Sequence, residues 1–126
     1  METTILGFGG STIGNIDQSR IVPESDAFAA IQTAWNRGIR YFDTGPLYGV
    51  GIGEQRMGHV IRQHARETYT ISTKVGVILK PLAPNTPDKG KFTNRLPFAA
   101  IYDYSYDATM RSIEDSMQRI GLNQFD

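Results

Sequence analysis

The fold is decided by the stretch Gly38-Ile39-Arg40-Tyr41-Phe42-Asp43-Thr44-Gly45-Pro46-Leu47-Tyr48-Gly49, followed by Glu54 and Gly58. Residues 39–43 have the β-branched and aromatic content of a strand. Residues 44–53 carry the glycines and proline of a loop. A helical pattern follows over about 54–65, with Met57, Val60 and Ile61 at helical spacing. Upstream, Ile5-Leu6-Gly7-Phe8 reads as a short strand running into Gly9-Gly10-Ser11-Thr12-Ile13-Gly14. Between these strands Phe28, Ile31 and Trp35 mark a helix over about 24–36, closed by Gly38. Downstream, residues 69–75 read as a third strand. A third helix is predicted over about 108–120. It takes Asp107 as N-cap, Met110, Ile113, Met117 and Ile120 as its apolar stripe, and Gly121 as its stop. Gln124-Phe125-Asp126 reads as the start of a fourth strand.

Strands alternating with helices imply βαβ units, a parallel sheet and an α/β fold, with right-handed crossovers placing the helices outside the sheet. The segment 76–106 departs from this rhythm. It holds Pro81, Pro84, Pro87 and Pro97, four of the six prolines, and little periodicity. A loop of about 30 residues after a strand's carboxyl end reads as a lid, with a disordered linker as the alternative. Three and a half βα units leave a parallel sheet with raw edges, although such sheets want both faces covered. The expectation is the front part of a larger domain; a small domain completed by a second chain is the alternative.

Composition removes several classes of function. The 126 residues carry 13 Lys plus Arg and 13 Asp plus Glu, a formal charge of zero. That argues against the basic footprint of a nucleic-acid binder and against a polybasic membrane anchor. Without cysteine there is no disulfide, thiolate zinc site or Cys nucleophile. No apolar run approaches the ~18 residues of a membrane span, and residues 1–14 lack a signal peptide's basic start. A cytoplasmic protein is expected, with no nucleic-acid partner, no membrane partner and no metal.

The glycines invite a nucleotide-binding reading, which fails its first test. Gly7-Phe8-Gly9-Gly10-Ser11-Thr12 has Thr12 where the third glycine of G-x-G-x-x-G belongs, and Gly49-Val50-Gly51-Ile52-Gly53-Glu54 fails likewise. These glycines serve either as turn residues or to let a cofactor approach the backbone. The better signal is Asp43 at one strand end, Tyr48 five residues on, and Lys74 ending the next strand in Ser72-Thr73-Lys74-Val75. Parallel neighbours would bring all three to one carboxyl-terminal rim, where barrel enzymes place catalytic groups. A phenol, with its ordinary pKa near ~10, is a poor acid or base at neutral pH until a nearby ammonium favours the phenolate. A lysine buried there needs a carboxylate, because an unpaired charge is costly to bury. Asp43, Lys74 and Tyr48 together make a tuned general acid/base; singly, each also reads as a turn cap, a solvated strand end and a packed loop aromatic.

These residues resemble the aldo-keto reductases, NAD(P)-dependent oxidoreductases built on a (β/α)8 TIM barrel. The likeness rests on Leu6-Gly7-Phe8-Gly9-Gly10, on the signature from Gly38 to Gly58, on Ser72-Thr73-Lys74, and on the run from Tyr104 to Leu122. It spans nearly the whole chain and implies its first three to four βα units. By the resemblance Tyr48 is the proton donor or acceptor, Lys74 tunes it, and Asp43 supports Lys74 and borders the cofactor. Gly10, Ser11 and Thr12 would lie beside the nicotinamide half of NAD or NADP. The family's catalytic histidine at the end of strand 4 has no counterpart, and His59 and His64 read as surface or rim residues. The 126 residues alone are therefore not expected to turn over substrate.

The stretch Phe42 to Glu54 looks closest to a branch of aldose 1-dehydrogenases acting on L-fucose, D-arabinose or L-galactose, which also includes pyridoxal 4-dehydrogenase. The implied reaction oxidises a small sugar or carbonyl compound, a hemiacetal becoming a lactone. Phe92 and Phe98 would be either wall residues of the substrate site or local packing. A non-catalytic subunit that keeps the barrel and senses nucleotide is the alternative from another class. Oligomeric state is not legible.

Overall fold

The computed structural model describes residues 3–16, 20–86 and 95–126. At its centre β1 (Gly7–Gly9), β2 (Tyr41–Asp43) and β3 (Thr70–Ser72) pair in parallel in the order β1-β2-β3. Phe8 is level with Phe42 and Ile71, and Gly9 with Asp43 and Ser72. This register brings the carboxyl ends of all three strands to one height. Helices α1 (Glu24–Asn36) and α2 (Ile52–Ile61) supply the crossovers. The core between sheet and helices holds Phe42, Ile31, Met57, Ile61, Ile71 and Tyr69, all essentially inaccessible to solvent. Each such side chain contributes about 1.5–3 kcal/mol of burial. Trp35 and Tyr69 close on the Phe42 ring at 6.3 and 6.4 Å between centroids.

The strands are shorter than the sequence predicts. Ile5 and Leu6 stay exposed outside the ladder, and residues 73–75 leave β3 as Lys74 turns towards Asp43.

The segment 76–106 is not a structureless loop in its described part. Strands β4 (Val77–Pro81) and β5 (Phe98–Tyr102) form an antiparallel hairpin, from Val77 opposite Tyr102 to Pro81 opposite Phe98. The prolines mislead because they stand at its margins, Pro81 ending β4 and Pro97 preceding β5, where a missing N–H does least harm. Phe98 packs against Val50, Val77 and Leu79, the local packing that was one of its two readings. Phe92 and Pro87 lie outside the described residues.

Helix α3 (Tyr106–Ile120) corrects two expectations. Its N-cap is Ser105, whose Oγ accepts the Ala108 amide at 3.3 Å; Asp107 falls in the first turn, where its charge suits the helix dipole. Its buried face is Ala108, Ser112, Ser116 and Ile120, while Met110 is exposed and Ile113 and Met117 are half-buried. Small side chains let the helix lie close to β4, and Ser112 Oγ donates to the Val77 carbonyl at 2.9 Å. Gly121 (φ 74°) ends α3 as predicted, its amide donating to the Met117 carbonyl.

No strand is formed at 124–126, yet Asp126 lies beside β3. Its amide donates to the Ile71 carbonyl at 3.1 Å, and its Oδ2 accepts from the Ile71 amide at 2.9 Å and from Arg66 at 2.6 Å. Burial opposes ionisation of this carboxyl, but the Ile71 and Arg66 donors outweigh it and hold it below the ordinary range. A depressed folded value means stabilisation that is present above pH ~3.9 and is lost as pH falls through that folded value. Asp126→Asn is expected to cost about 1 kcal/mol at pH 7. Thermal unfolding at stepped pH should show a shallower acid-side fall than the wild type; an unchanged slope would remove this pair from the acid response. Among the described residues no helix is long and apolar enough to cross a membrane.

Candidate active site

Asp43, Lys74 and Tyr48 meet at the carboxyl rim of the sheet. Lys74 Nζ donates to Asp43 Oδ2 at 2.6 Å and to the Thr44 carbonyl at 3.0 Å, and stands 4.9 Å from the centre of the Tyr48 ring. The other carboxylate oxygen, Oδ1, accepts from Ser72 Oγ at 2.8 Å, and Ser72 in turn bonds the Tyr41 hydroxyl at 3.1 Å. Burial works against the Lys74 charge, but the bonded Asp43 carboxylate and the neighbouring Tyr48 outweigh it and hold the ammonium above the ordinary lysine range. The pair is open to water, the Lys74 side chain being 48% exposed and Asp43 34%. At such exposure an ion pair adds little stability; its effect is to keep a positive charge beside the Tyr48 ring. A phenol held against an ammonium, itself held by a carboxylate, can exchange a proton with a bound hydroxyl or carbonyl oxygen.

The turn that carries Tyr48 is fixed by its backbone. The Tyr48 amide donates to the Gly45 carbonyl at 3.1 Å, and its carbonyl accepts from Gly53 at 2.9 Å. A Cβ on Gly14 would lie 2.6 Å from the Tyr48 carbonyl carbon, so the short 3-10 turn after β1 presses on this loop at a spot only glycine fits. Next come three residues in the left-handed region, Gly49, Val50 and Gly51. For Val50, β-branched and buried, φ of 55° is strained. Strain of this kind persists only where surroundings over-determine it, and it clusters at functional sites. Here the hairpin does so: Val77, Leu79 and Phe98 pack on Val50.

The residues read as bordering a cofactor divide into two kinds. Gly10 is buried, its amide donates to the Asp43 carbonyl at 2.7 Å, and a side chain there would meet Asp43, Thr44 and Met57. Its smallness serves the contact between β1 and β2. Ser11 is half-buried and Thr12 exposed just beyond β1, whose last residue, Gly9, is level with Asp43. Hydroxyls and a carboxylate at one rim suit the amide and ribose of a nicotinamide nucleotide, so these residues fit one end of such a cofactor. His59 and His64 stack on α1, His59 over Phe28 at 4.1 Å and His64 over Trp35 at 3.7 Å between centroids.

Sequence reasoning missed the residues that brace the site. Ser72, Thr73 and Glu54 lie within or beside the motifs that carry Asp43, Tyr48 and Lys74, yet neither they nor Arg119 show a role in the sequence. Glu54 is fully buried. Its Oε1 accepts from Thr73 Oγ1 at 2.8 Å, and its Oε2 accepts from Arg119 Nε at 2.5 Å. A carboxylate in the first turn of a helix that otherwise faces the core was the one available signal.

The sequence model of the aldo/keto reductase family matches residues 5–126. The chain is 38% identical to pyridoxal 4-dehydrogenase of Microbacterium luteolum, a match that takes in all of this chain and 39% of that protein. It is 33% identical to D-threo-aldose 1-dehydrogenase of a Pseudomonas species, over 96% of this chain and 37% of that one. An aldo-keto reductase from Bacillus halodurans, solved in its holo form, superposes with a TM-score of 0.73 at 24% identity, over the whole chain and 35% of its own. The chain thus spans less than two fifths of each. Its sheet and helices have the fold of the opening βα units of a (β/α)8 barrel.

Proposed function

The chain belongs to the aldo/keto reductase family, and from that premise we propose that the whole protein is an NAD(P)-dependent dehydrogenase oxidising an aldose of the L-fucose or D-arabinose type at C1 to a lactone. Tyr48 is its general acid/base. The observation that carries this reading is Lys74 Nζ, bonded to Asp43 at 2.6 Å and lying 4.9 Å from the Tyr48 ring. Tyr48 takes the proton of the C1 hydroxyl in the oxidative direction and returns it in reduction. Lys74 favours the charged form of the phenol, and Asp43 holds Lys74 in place. Ser11 and Thr12 bind the nicotinamide end, and Gly10 sets the close β1–β2 spacing beneath it. A bound nicotinamide supplies the hydride chemistry, which belongs to the cofactor. The protein works in the cytoplasm on a small sugar or carbonyl compound.

The relatives support an aldose and pyridoxal about equally, so the test includes both. The whole protein should reduce NAD+ or NADP+ in the presence of L-fucose, D-arabinose or L-galactose, followed by the absorbance of the reduced nucleotide. Turnover of pyridoxal alone would replace the aldose reading with the pyridoxal one. Nucleotide binding without turnover of any of these would leave the nucleotide-sensing subunit.

A further inference from the structure

Glu54 is a charged group that the acid/base reading leaves without a task. It sits in the first turn of α2, with none of its surface exposed. Arg119, the partner on Oε2, has a side chain only 16% exposed and donates a further bond to Ser116 Oγ at 2.9 Å. The partner on Oε1, Thr73, is the residue before Lys74. Successive side chains of an extended chain alternate between faces, so Thr73 reaches into the helix layer while Lys74 reaches the rim. On the other side, Gly53, the residue before Glu54, donates to the Tyr48 carbonyl at 2.9 Å. One carboxylate therefore ties the segment carrying Lys74 to the segment carrying Tyr48, with α3 as backing.

We propose that Glu54 is a positioning residue, whose bond to Thr73 sets the separation of Lys74 from Tyr48. The inference rests on the acid/base roles proposed above. A carboxylate buried this deeply cannot shift without leaving a charge or a hydroxyl unpaired.

The test uses the whole protein and the substrate that the wild type turns over. Thr73→Val removes one hydrogen bond at constant shape and keeps the Glu54–Arg119 pair. It is expected to lower kcat roughly tenfold or more, since misplacement by a fraction of the site's width is costly, with KM little changed. The pH limb of kcat should move to higher pH in the oxidative direction, as Lys74 supports the phenolate less well. Thr73→Ser, which restores the hydroxyl, should restore the profile. Glu54→Gln should act in the same direction; if it fails to fold, the Thr73 pair decides. Arg111→Ala, which removes a surface ion pair with Asp115, should leave the profile unmoved. Loss of kcat in Thr73→Val with an unshifted limb would mean a merely structural tie and overturn the proposal, as would wild-type kcat. A wild type inactive on every substrate overturns the functional reading as well, so the two failures are distinct.

Discussion

Tyr48→Phe is expected to lower kcat of the whole protein by roughly 10²–10⁴-fold, the usual contribution of a positioned general acid/base, while nucleotide affinity stays within a few-fold. The substitution removes one oxygen. The turn keeps its shape because main-chain bonds to Gly45 and Gly53 hold it and Gly14 packs on its backbone. The ring persists as Lys74's neighbour. Turnover measured beside nucleotide titration separates chemistry from binding. A Phe variant retaining most of its kcat would remove Tyr48 from the proton transfer, and a matching loss of affinity would point to a collapsed turn.

Gly58→Ala should be the most damaging substitution for stability. Gly58 lies within α2, where Ala is ordinarily favoured by about 1 kcal/mol. Here a Cβ would stand 2.0 Å from the Ile120 carbonyl oxygen and 2.7 Å from its carbonyl carbon. Both are backbone atoms at the end of α3, so no rotamer change relieves the clash and the two helices must separate. We expect a loss of about 3 kcal/mol or more, at or beyond the upper range for overpacking. Gly9→Ala is the control: nothing lies within 4 Å of a Cβ there, and melting should hardly change. A Gly58→Ala protein melting with the wild type would show that α2 and α3 slide apart without cost.

What could be read in the sequence was local. Helix α1 matches its expected span of 24–36, because Phe28, Ile31 and Trp35 repeat at 3.6 residues and Gly38 supplies the left-handed stop at φ 88°. Asp43, Tyr48 and Lys74 could be placed together because the parallel register levels the ends of β2 and β3, with Asp43 ending β2, Lys74 two residues past β3 and Tyr48 in the loop after β2. The braces were not legible, since Glu54 and Arg119 are 65 residues apart and no periodicity links them. The hairpin escaped for a similar reason: β4 and β5 become strands by pairing with each other across 16 intervening residues. The apolar pattern of α3 misled because close approach to β4 selects Ala108, Ser112 and Ser116 over larger side chains.

The hairpin also separates two kinds of heritable change. It leaves the chain after Lys74 and returns before α3, and its described contact with the Tyr48 turn runs through the strands and Leu96, at Gly49, Val50 and Gly51. Substitutions at residues 82–86, whose described hydrogen bonds run to Pro97 and among themselves, can alter that end of the hairpin without moving Asp43, Lys74 or the Glu54 tie. Under the roles proposed for Asp43, Tyr48 and Lys74, duplicated genes with this arrangement can vary at that end of the hairpin in small steps while the three residues stay in place.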